Sequence, residues 1–230
     1  MKKIGILGGL GPEPTVEYYQ YIIEYFRKKS NTDDTPEIII YSVNLQEFLQ
    51  FVENEEREKT TDWLLERIES LHKAGADFAL IAAGTPHLFF EDIRKESPVP
   101  LLSIVEETAK RAQSMSLKKL LLLGTKFTMS ANFFQKVFSQ EDMEIVVPAK
   151  KEQDYIHSKL IDELQFGRVV ESTKSRVHSI VKDIMEKESI DGVILGCTEI
   201  PLLMPEERLF GLPLLNTTKI HAESAVDYAL

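Results

Sequence analysis

The sequence predicts an α/β protein made of two similar domains, each with a parallel sheet covered by helices. Short apolar runs of strand length alternate along the chain with longer segments of helical periodicity. Continuous apolar strands of this kind are typical of parallel sheets that are buried on both faces. Similar strand-and-turn segments also recur at nearly one offset, which indicates a duplicated α/β unit.

The individual elements follow from these patterns in chain order. Apolar runs predict strands at residues 4–7, 37–43, 78–82, 101–104, 119–123, 144–147, 192–195 and 213–215. Apolar residues at helical spacing predict helices at residues 15–29, 57–74, 104–114 and 167–188. The last segment, residues 216–230, also has the pattern of a helix, and we expect it to return to the first domain.

Two pairs of segments support the duplication. Residues 4–9 match residues 120–125, and residues 78–85 match residues 192–198, so the offsets are 116 and 114 positions. Chance likeness between apolar strands is the alternative explanation. The predicted domains face each other across a cleft, and they comprise residues 1–98 plus 216–230 and residues 99–215.

Composition and charge narrow the class of protein. The chain has 230 residues, 43% of them hydrophobic and 28% charged, which is ordinary for a soluble globular protein. Its net charge of −10 disfavours nucleic acid or an anionic membrane surface as the main partner. A single cysteine cannot form an internal disulfide, and the sequence has no apolar run of membrane-spanning length and no signal-peptide pattern. We therefore expect a cytoplasmic protein.

Cys197 is the only cysteine and follows a predicted strand, in Val193-Ile-Leu-Gly-Cys-Thr-Glu-Ile200. A thiolate is a strong base and nucleophile, and open α/β sheets bind ligands at the carboxyl ends of their strands. The glycine before Cys197, with Thr198 and Glu199 after it, is typical of a turn that exposes a side chain and backbone N–H groups. A buried cysteine that packs as a small hydrophobe is the alternative. Cys197 is the first catalytic candidate, and Thr198 and Glu199 are substrate-binding candidates.

Glycine-rich loops follow the first strand of each predicted domain. The loop Gly8-Gly-Leu-Gly-Pro-Glu-Pro-Thr15 lacks the spacing of nucleotide-binding loops, whereas its glycines and the helix start after it suit a small carboxylate. A tight turn from strand to helix is the alternative. The matching loop, Gly124-Thr-Lys-Phe-Thr-Met-Ser130, offers hydroxyls that could bind a carboxylate or cap the next helix. The candidates for substrate binding here are Gly9, Leu10, Thr15, Thr125 and Thr128.

The segment Ala82-Ala-Gly-Thr-Pro-His87 ends the third predicted strand. His87 could act as an acid or base, or it could satisfy local backbone groups. Thr85 is a hydroxyl near the expected cleft, although nothing in the sequence shows what would activate it. The other histidines are scattered, and no His, Cys and Asp cluster has the spacing of metal ligands, so we predict no metal site.

The chain resembles the cofactor-independent aspartate/glutamate racemase family over essentially its full length. Ile4-Gly-Ile-Leu-Gly-Gly-Leu-Gly-Pro12 with Thr15 is similar to the family's opening signature. Gly84-Thr-Pro-His87 is similar to its Asn-Thr-x-His segment, and Leu195-Gly-Cys-Thr-Glu199 to its second cysteine motif. The resemblance implies two α/β domains with the active site between them, a homodimer, and racemisation without pyridoxal phosphate or another cofactor. It implies that two thiols on opposite faces of the substrate remove and return the α-proton.

The sequence departs from this pattern at four positions. Ala83 stands where the first catalytic cysteine is expected, and Gly84 replaces the asparagine, so Thr85, His87 or a water must serve the second face. Gln50, a substrate-binding candidate, and Gln165 stand where basic residues are expected, which removes charge-assisted partners for a side-chain carboxylate.

Three functions remain open on the sequence alone. The first is an aspartate/glutamate-type amino-acid racemase that uses Cys197, with aspartate or glutamate as the expected substrate and Thr85 or His87 assisting. The second is a relative of arylmalonate decarboxylase, which needs only one thiol. The third is a catalytically reduced homologue that binds a small carboxylate.

Overall fold

The predicted alternation of strands and helices is present along the whole chain. A computed structural model describes the backbone of residues 1–230 and the side chains of all of them except Pro12. The strands are β1 (Ile4–Gly8), β2 (Ile38–Ser42), β3 (Phe78–Ile81), β4 (Leu101–Leu102), β5 (Lys119–Leu123), β6 (Glu144–Val146), β7 (Gly192–Leu195), β8 (Arg208–Leu209) and β9 (Leu212–Asn216). The α-helices are α1 (Pro12–Ser30), α2 (Leu45–Glu53), α3 (Arg57–Lys73), α4 (Phe90–Glu96), α5 (Ile104–Ser114), α6 (Lys126–Ser130), α7 (Phe133–Gln140), α8 (Lys150–Asp162), α9 (Glu171–Glu188) and α10 (Thr217–Ala229).

The chain divides into two compact units. Unit 1 comprises Met1–Glu107 and Thr218–Leu230, and unit 2 comprises Thr108–Thr217. The predicted domain limits at residues 98 and 216 stay a prediction, because compactness alone does not show which segments fold independently.

The sheet of unit 1 has four parallel strands in the order β2-β1-β3-β4. Its central strands β1 and β3 are buried on both faces. One face packs against α1 and α10, and the other packs against α2, α3 and α4. Ile4 and Ile6 point to the first face and Leu7 to the second, as the two-residue period of a strand requires. The buried side chains of α10 that complete the first face are Ala222, Ala225, Val226 and Ala229.

The sheet of unit 2 repeats this arrangement. Four of its strands are parallel in the order β6-β5-β7-β9, and β8 adds an antiparallel edge to β9. Phe210 and Gly211, between β8 and β9, have φ angles of 50° and 85°, as a two-residue hairpin turn requires. The shared strand order, with β5 in the place of β1 and β7 in that of β3, confirms the prediction of two similar parallel-sheet α/β halves.

The sequence analysis located the long elements and missed several short ones. Every predicted strand is present, with ends shifted by two residues at most. The helix predicted from residue 167 begins at Glu171. Helices α2, α4, α6, α7 and α8 were not predicted. Four of them have nine residues or fewer and show little of a helical period, whereas α8 has 13 residues and was missed all the same. No helix among the described residues is long and apolar enough to cross a membrane.

Gly9, directly after β1, has a backbone conformation that other residues rarely adopt. Its φ is +79°, and a Cβ added there would lie 2.4 Å from both the backbone N and O of Val43. Gly75, between α3 and β3, also has a positive φ of +101°, but a Cβ there would meet nothing within 4 Å. Substitution of Gly75 therefore adds backbone strain alone, whereas substitution of Gly9 adds both strain and steric crowding.

We expect Gly75→Ala to lower the free energy of unfolding by roughly 1 kcal/mol, the cost of a left-handed alanine. Gly9→Ala should cost about 3 kcal/mol or more, because the backbone after β2 must also move. Urea unfolding followed by the fluorescence of Trp63, the single tryptophan and a buried residue of unit 1, measures both. Equal losses in the two variants would contradict this account of the loop.

Candidate functional site

The predicted site residues all follow the carboxyl ends of parallel strands. In such sheets these ends share one edge, so each unit gathers its own set there. Unit 1 carries Gly9, Leu10, Thr15, Gln50, Gly84, Thr85 and His87 after β1, β2 and β3. Unit 2 carries Thr125, Thr128, Cys197, Thr198 and Glu199 after β5 and β7.

The thiol of Cys197 is hydrogen-bonded to a carboxylate. Its Sγ donates to Oε2 of Glu199 at 2.9 Å, and the hydroxyl of Thr198 donates to the same oxygen at 2.8 Å. Three consecutive residues thus form one polar cluster at the end of β7. Glu199 accepts both protons on one oxygen, which fixes its carboxylate against the thiol.

The surroundings of Cys197 keep it protonated at rest. Burial raises the pKa of the thiol well above its usual value, and the negative charge and hydrogen bond of Glu199 raise it further. The backbone N–H groups of Glu199 and Thr198 lower the pKa in part, because they donate toward the sulfur. The same N–H groups would stabilise a thiolate once the proton has left.

The loop that carries Cys197 is held by contacts that the sequence analysis did not find. The N–H of Gly196 donates to the carbonyl of Leu123 at 2.7 Å, and the hydroxyl of Thr217 donates to the carbonyl of Leu195 at 2.9 Å. A Cβ on Gly196 would lie 2.7 Å from Cδ1 of Leu122 and 3.0 Å from the carbonyl oxygen of Leu123, so a larger residue before the cysteine would crowd both. Thr217 comes from the start of α10, 20 positions further along the chain, and no local pattern could have indicated it.

Thr125 and Thr128 shape the loop after β5. Thr125 is the N-cap of α6, since its Oγ1 accepts from the N–H of Thr128 at 3.1 Å. The two hydroxyls are 3.0 Å apart. Thr128 is 3% exposed, and a Cβ on Gly124 would lie 2.9 Å from it. The capping alternative considered for these threonines is therefore present at Thr125.

Thr15 does the same for the loop after β1. Its Oγ1 accepts from the N–H of Gly9 at 2.9 Å and donates to the carbonyl of Gly11 at 3.0 Å. A Cβ on Gly8 would lie 2.4 Å from Cγ2 of Thr15. Both units thus end their first strand with a glycine that packs closely on a threonine of the following helix.

The segment after β3 has an alanine where unit 2 has its thiol. Ala83 is 8% exposed, and Thr85 next to Gly84 is half-buried at the start of a 3₁₀ turn (Thr85–Phe89). His87 is 6% exposed; its Nδ1 lies 3.0 Å from the carbonyl of Ala83, and its Nε2 accepts from the N–H of Ile104 at 3.1 Å. Both ring nitrogens of His87 therefore have backbone partners.

His221 and Tyr18 lie beside His87 in unit 1, and the sequence analysis missed both. The Nδ1 of His221 is 2.8 Å from the hydroxyl of Tyr18, and its Nε2 is 3.1 Å from the carbonyl of Leu102. Burial lowers the pKa of His87 to about 4 and that of His221 to about 3, and burial raises the pKa of Tyr18 far above its usual value. All three side chains are uncharged at neutral pH. Tyr18 and His221 are 203 positions apart, so no spacing rule connects them.

Two cationic side chains that could have bound a substrate carboxylate, Arg57 and Lys126, are already in ion pairs. The guanidinium of Arg57 is 2.6 Å from Asp92, and the ammonium of Lys126 is 2.7 Å from Asp154. Gln50, on α2, and Gln165, in the turn after α8, are both exposed. Among the residues whose side chains are described, no group of three His, Cys, Asp or Glu could hold a metal ion.

Fold and site together define an α/β enzyme of duplicated parallel sheets with a thiol at a strand end. The family model for Asp/Glu/Hydantoin racemase matches residues 7–225. The chain therefore belongs to the Asp/Glu/Hydantoin racemase family, as the sequence analysis predicted.

Curated relatives and solved structures agree with this membership. The broad specificity amino-acid racemase RacX of Bacillus subtilis is 27% identical over 227 residues, covering 97% of this chain and 96% of the relative. A crystal structure of an aspartate racemase homologue from Pyrococcus horikoshii is 38% identical, with a TM-score of 0.90, and covers 100% of this chain and 99% of that one. A putative Asp/Glu racemase from Yersinia pestis is 30% identical, with a TM-score of 0.93 and the same coverage. These matches support the predicted function, an amino-acid racemase of the aspartate/glutamate type. The predicted roles of individual site residues stay predictions.

The two buried histidines should make the protein acid-labile. Their pKa values in the folded state lie below the usual 6.5, so the unfolded chain binds more protons than the native protein as the pH falls below 6.5. Each histidine should then remove on the order of 1 kcal/mol of stability per pH unit between pH 6.5 and 4.5. Shifted carboxylates such as Glu163, whose pKa is lowered by Lys159, lose their contribution only below that window.

Urea unfolding at several pH values, followed by Trp63 fluorescence, measures this dependence. His87→Asn should flatten the curve, whereas His72→Asn, at an exposed histidine of α3, should leave it unchanged. A wild-type stability that is constant from pH 6.5 to 4.5 would show that the histidines are not buried in their neutral form.

The charge of Glu199 should govern the reactivity of Cys197. Glu199→Gln removes a negative charge next to the thiol, so the pKa of Cys197 should fall. A fall of one unit raises the thiolate fraction about tenfold, and the lower nucleophilicity of the weaker base offsets about half of this on a logarithmic scale. We expect iodoacetamide to alkylate the variant about three times faster at pH 7.5.

Alkylation reports Cys197 alone, since the chain has no other cysteine. Glu207→Gln makes the same charge change at an exposed carboxylate of unit 2 and is the matched control. Mass spectrometry of the labelled fraction over time gives the rates. Slower or equal alkylation of Glu199→Gln would mean that the carboxylate does not hold the thiol protonated.

Proposed function

We propose that this amino-acid racemase uses Cys197 to remove or return the α-proton on one face of its substrate, without pyridoxal phosphate. The observation that carries the proposal is the thiol of Cys197, hydrogen-bonded at 2.9 Å to Glu199 at the carboxyl end of β7. The Cα–H bond of an amino acid is barely acidic, so its base must be placed in advance. A thiol with a carboxylate partner meets this requirement.

Glu199 is proposed to take the thiol proton. Transfer from Sγ to Oε2 gives a thiolate and a carboxylic acid, and the thiolate then takes the α-proton while its electron pair stays on the substrate as an enolate. The N–H groups of Thr198 and Glu199 support the negative sulfur. When the thiol proton is replaced from solvent, its return to the same face of the α-carbon gives α-hydrogen exchange, whereas a proton delivered to the opposite face gives the enantiomer.

Some of the predicted substrate-binding residues already have a structural role in their loops. The hydrogen bonds of Thr15, the capping role of Thr125 and the burial of Thr128 indicate that these three shape the loops, as does the strained backbone of Gly9. The proposed contacts to the substrate are therefore Leu10, Gln50, Gly84 and Thr198. Aspartate and glutamate are the first substrates to test, since relatives bear the names aspartate racemase and glutamate racemase.

Inversion of the α-carbon needs a second proton-transfer group on the opposite face of the substrate. Ala83 has no proton to transfer, and both nitrogens of His87 are bonded to backbone groups. Thr85 is half-buried next to Gly84 and carries a hydroxyl, so we propose Thr85, alone or through a water, for that face.

A decarboxylase-like reaction is the second candidate, and one observation favours it. The surroundings of Cys197 hold it as a protonated thiol, and a single thiol is enough to protonate one face of a carbanion left by loss of CO2. Release of CO2 from a substituted malonate would identify this reaction. Tight binding of dicarboxylates without exchange of any α-hydrogen would instead indicate a reduced, carboxylate-binding homologue.

A cytoplasmic homodimer is also proposed. The reducing cytoplasm would keep Cys197 as a thiol. The outer surface of unit 1 supports a second copy as partner, since the edge strand β2 and the helix α1 expose several large apolar residues, namely Val16, Tyr19, Ile40 and Tyr41. Light scattering after size-exclusion chromatography measures the oligomeric state, and a monomer at micromolar concentration would overturn this part.

Incubation in heavy water tests the function. The wild type should exchange the α-hydrogen of at least one amino acid, read by mass spectrometry, and form its enantiomer, read by chiral chromatography. Cys197→Ala should abolish both, because Ala has no proton to give or take. Exchange that persists in Cys197→Ala would remove Cys197 from the mechanism.

Ala83→Cys tests the missing second thiol. Ala83 lies two residues after the end of β3, as Cys197 lies two residues after the end of β7. A thiol at position 83 should therefore raise the rate of inversion relative to the rate of exchange. Ala82→Ser, at a fully buried neighbour, controls for a polar substitution in the same segment. An unchanged ratio would show that position 83 does not face the substrate.

A further inference from the structure

The proposed reaction leaves unused a buried cluster of unit 1, formed by His87, His221 and Tyr18. Their side chains are 6%, 0% and 0% exposed. The two imidazole rings meet edge to face, with centroids 6.3 Å apart, and the ring of His87 stacks on Phe90 at 4.8 Å. Buried polar groups that are fully bonded hold their neighbours in one arrangement.

The partners of each imidazole fix its tautomer. A carbonyl oxygen can only accept and a backbone N–H can only donate, so His87 carries its proton on Nδ1, toward Ala83, and a lone pair on Nε2, toward Ile104. His221 is the reverse: its Nε2–H donates to the carbonyl of Leu102, and its Nδ1 accepts from the hydroxyl of Tyr18. A proton added to Nε2 of His87 would face the Ile104 N–H and break that bond.

The positive charge of Arg94 also favours the neutral ring of His87. The guanidinium of Arg94 lies over the ring of Phe90, 4.5 Å from its centroid, and is paired with Glu106 at 2.6 Å. Its positive charge lowers the pKa of His87 beyond the effect of burial. From α10, His87 meets the uncharged His221, which is hydrogen-bonded to Tyr18 of α1.

The cluster holds the two connections that follow β3 and β4. His87 fixes the carbonyl of Ala83 at the end of β3, directly before Gly84 and Thr85. The short segment from Leu102 to Ile104 is held twice, at its carbonyl by His221 and at its N–H by His87. The backbone that precedes Thr85 is therefore tied to the start of α5.

We propose that His87, supported by His221, is a positioning residue that fixes this backbone and so holds Gly84 and Thr85 in place for the substrate. The proposal rests on the proposed function, because the substrate is that of the racemase. It assigns no proton transfer to His87.

The tautomers give a test that needs no activity. Long-range ¹H–¹⁵N spectra of the wild type should show five histidines, two of which do not titrate between pH 8 and 5.5. One of the two should carry its proton on Nδ1 and the other on Nε2, and the variants His87→Phe and His221→Phe assign them. Titration of both, or the same tautomer in both, would overturn the proposal even if a variant fails to fold.

Kinetics separate positioning from catalysis. His87→Phe keeps the stacking on Phe90 and loses both hydrogen bonds. The rate of α-hydrogen exchange should then fall about tenfold or more, because a displaced group no longer meets the substrate in the reactive geometry. His87→Asn can still donate and accept, and it should recover part of the rate. The pH dependence of exchange from pH 6 to 9 should keep its shape in both variants. His72→Phe, at an exposed histidine, is the control for the substitution itself.

Each outcome decides one question. A pH profile that loses a limb in His87→Asn would make His87 an acid or base, and an unchanged rate in His87→Phe would show that its bonds are not needed. Alkylation of Cys197 at the wild-type rate confirms that unit 2 is intact in each variant. If the wild type exchanges no amino acid, the proposed function fails; the positioning role is then decided by the tautomers and by hydrogen exchange of the Ile104 amide, which must lose protection in His87→Phe.

Discussion

Burial of both faces of each sheet is the constraint on which the rest of this structure depends. Strands such as β1 and β7 consist of fully buried residues, so they have no room for polar side chains along their length. Polar chemistry is then confined to the strand ends, where the chain leaves the sheet. The loops there must turn at once into helices that cover the sheet. This requirement explains why Gly8 and Gly124 each pack against a threonine of the following helix.

The duplication places equivalent strand ends in both units and lets them differ in chemistry. In unit 2 the end of β7 carries a thiol and a carboxylate, Cys197 and Glu199, at 2.9 Å. In unit 1 the end of β3 carries Ala83, whose carbonyl is bonded to a neutral imidazole. In the proposed mechanism the first end moves a proton, and the second end holds its backbone in place. A shared fold thus supports two kinds of site, because the sheet specifies positions and not side chains.

The sequence was sufficient where the physics is local. Apolar runs identify the strands, and the helices between them indicate parallel pairing, because parallel strands need crossover connections. Glycine before Cys197 marks a loop at a strand end, which the structure confirms. Tyr18, His221 and Thr217 were missed because each acts through a partner far along the chain. The hydrogen bonds of Thr15 were also not predicted, since the sequence does not distinguish a hydroxyl that stabilises its own loop from one that binds a ligand.

The electrostatics of Cys197 connect the choice of substrate to the choice of reaction. At rest the carboxylate of Glu199 and burial both favour the protonated thiol. A zwitterionic amino acid brings an ammonium group, and a positive charge near the sulfur favours the thiolate. A malonate brings only negative charge, so with such a substrate the thiol would remain a proton donor. In the two proposed reactions the same cysteine would be a base toward an amino acid and an acid toward a carbanion, and a positive charge on the bound molecule near the sulfur would favour the first.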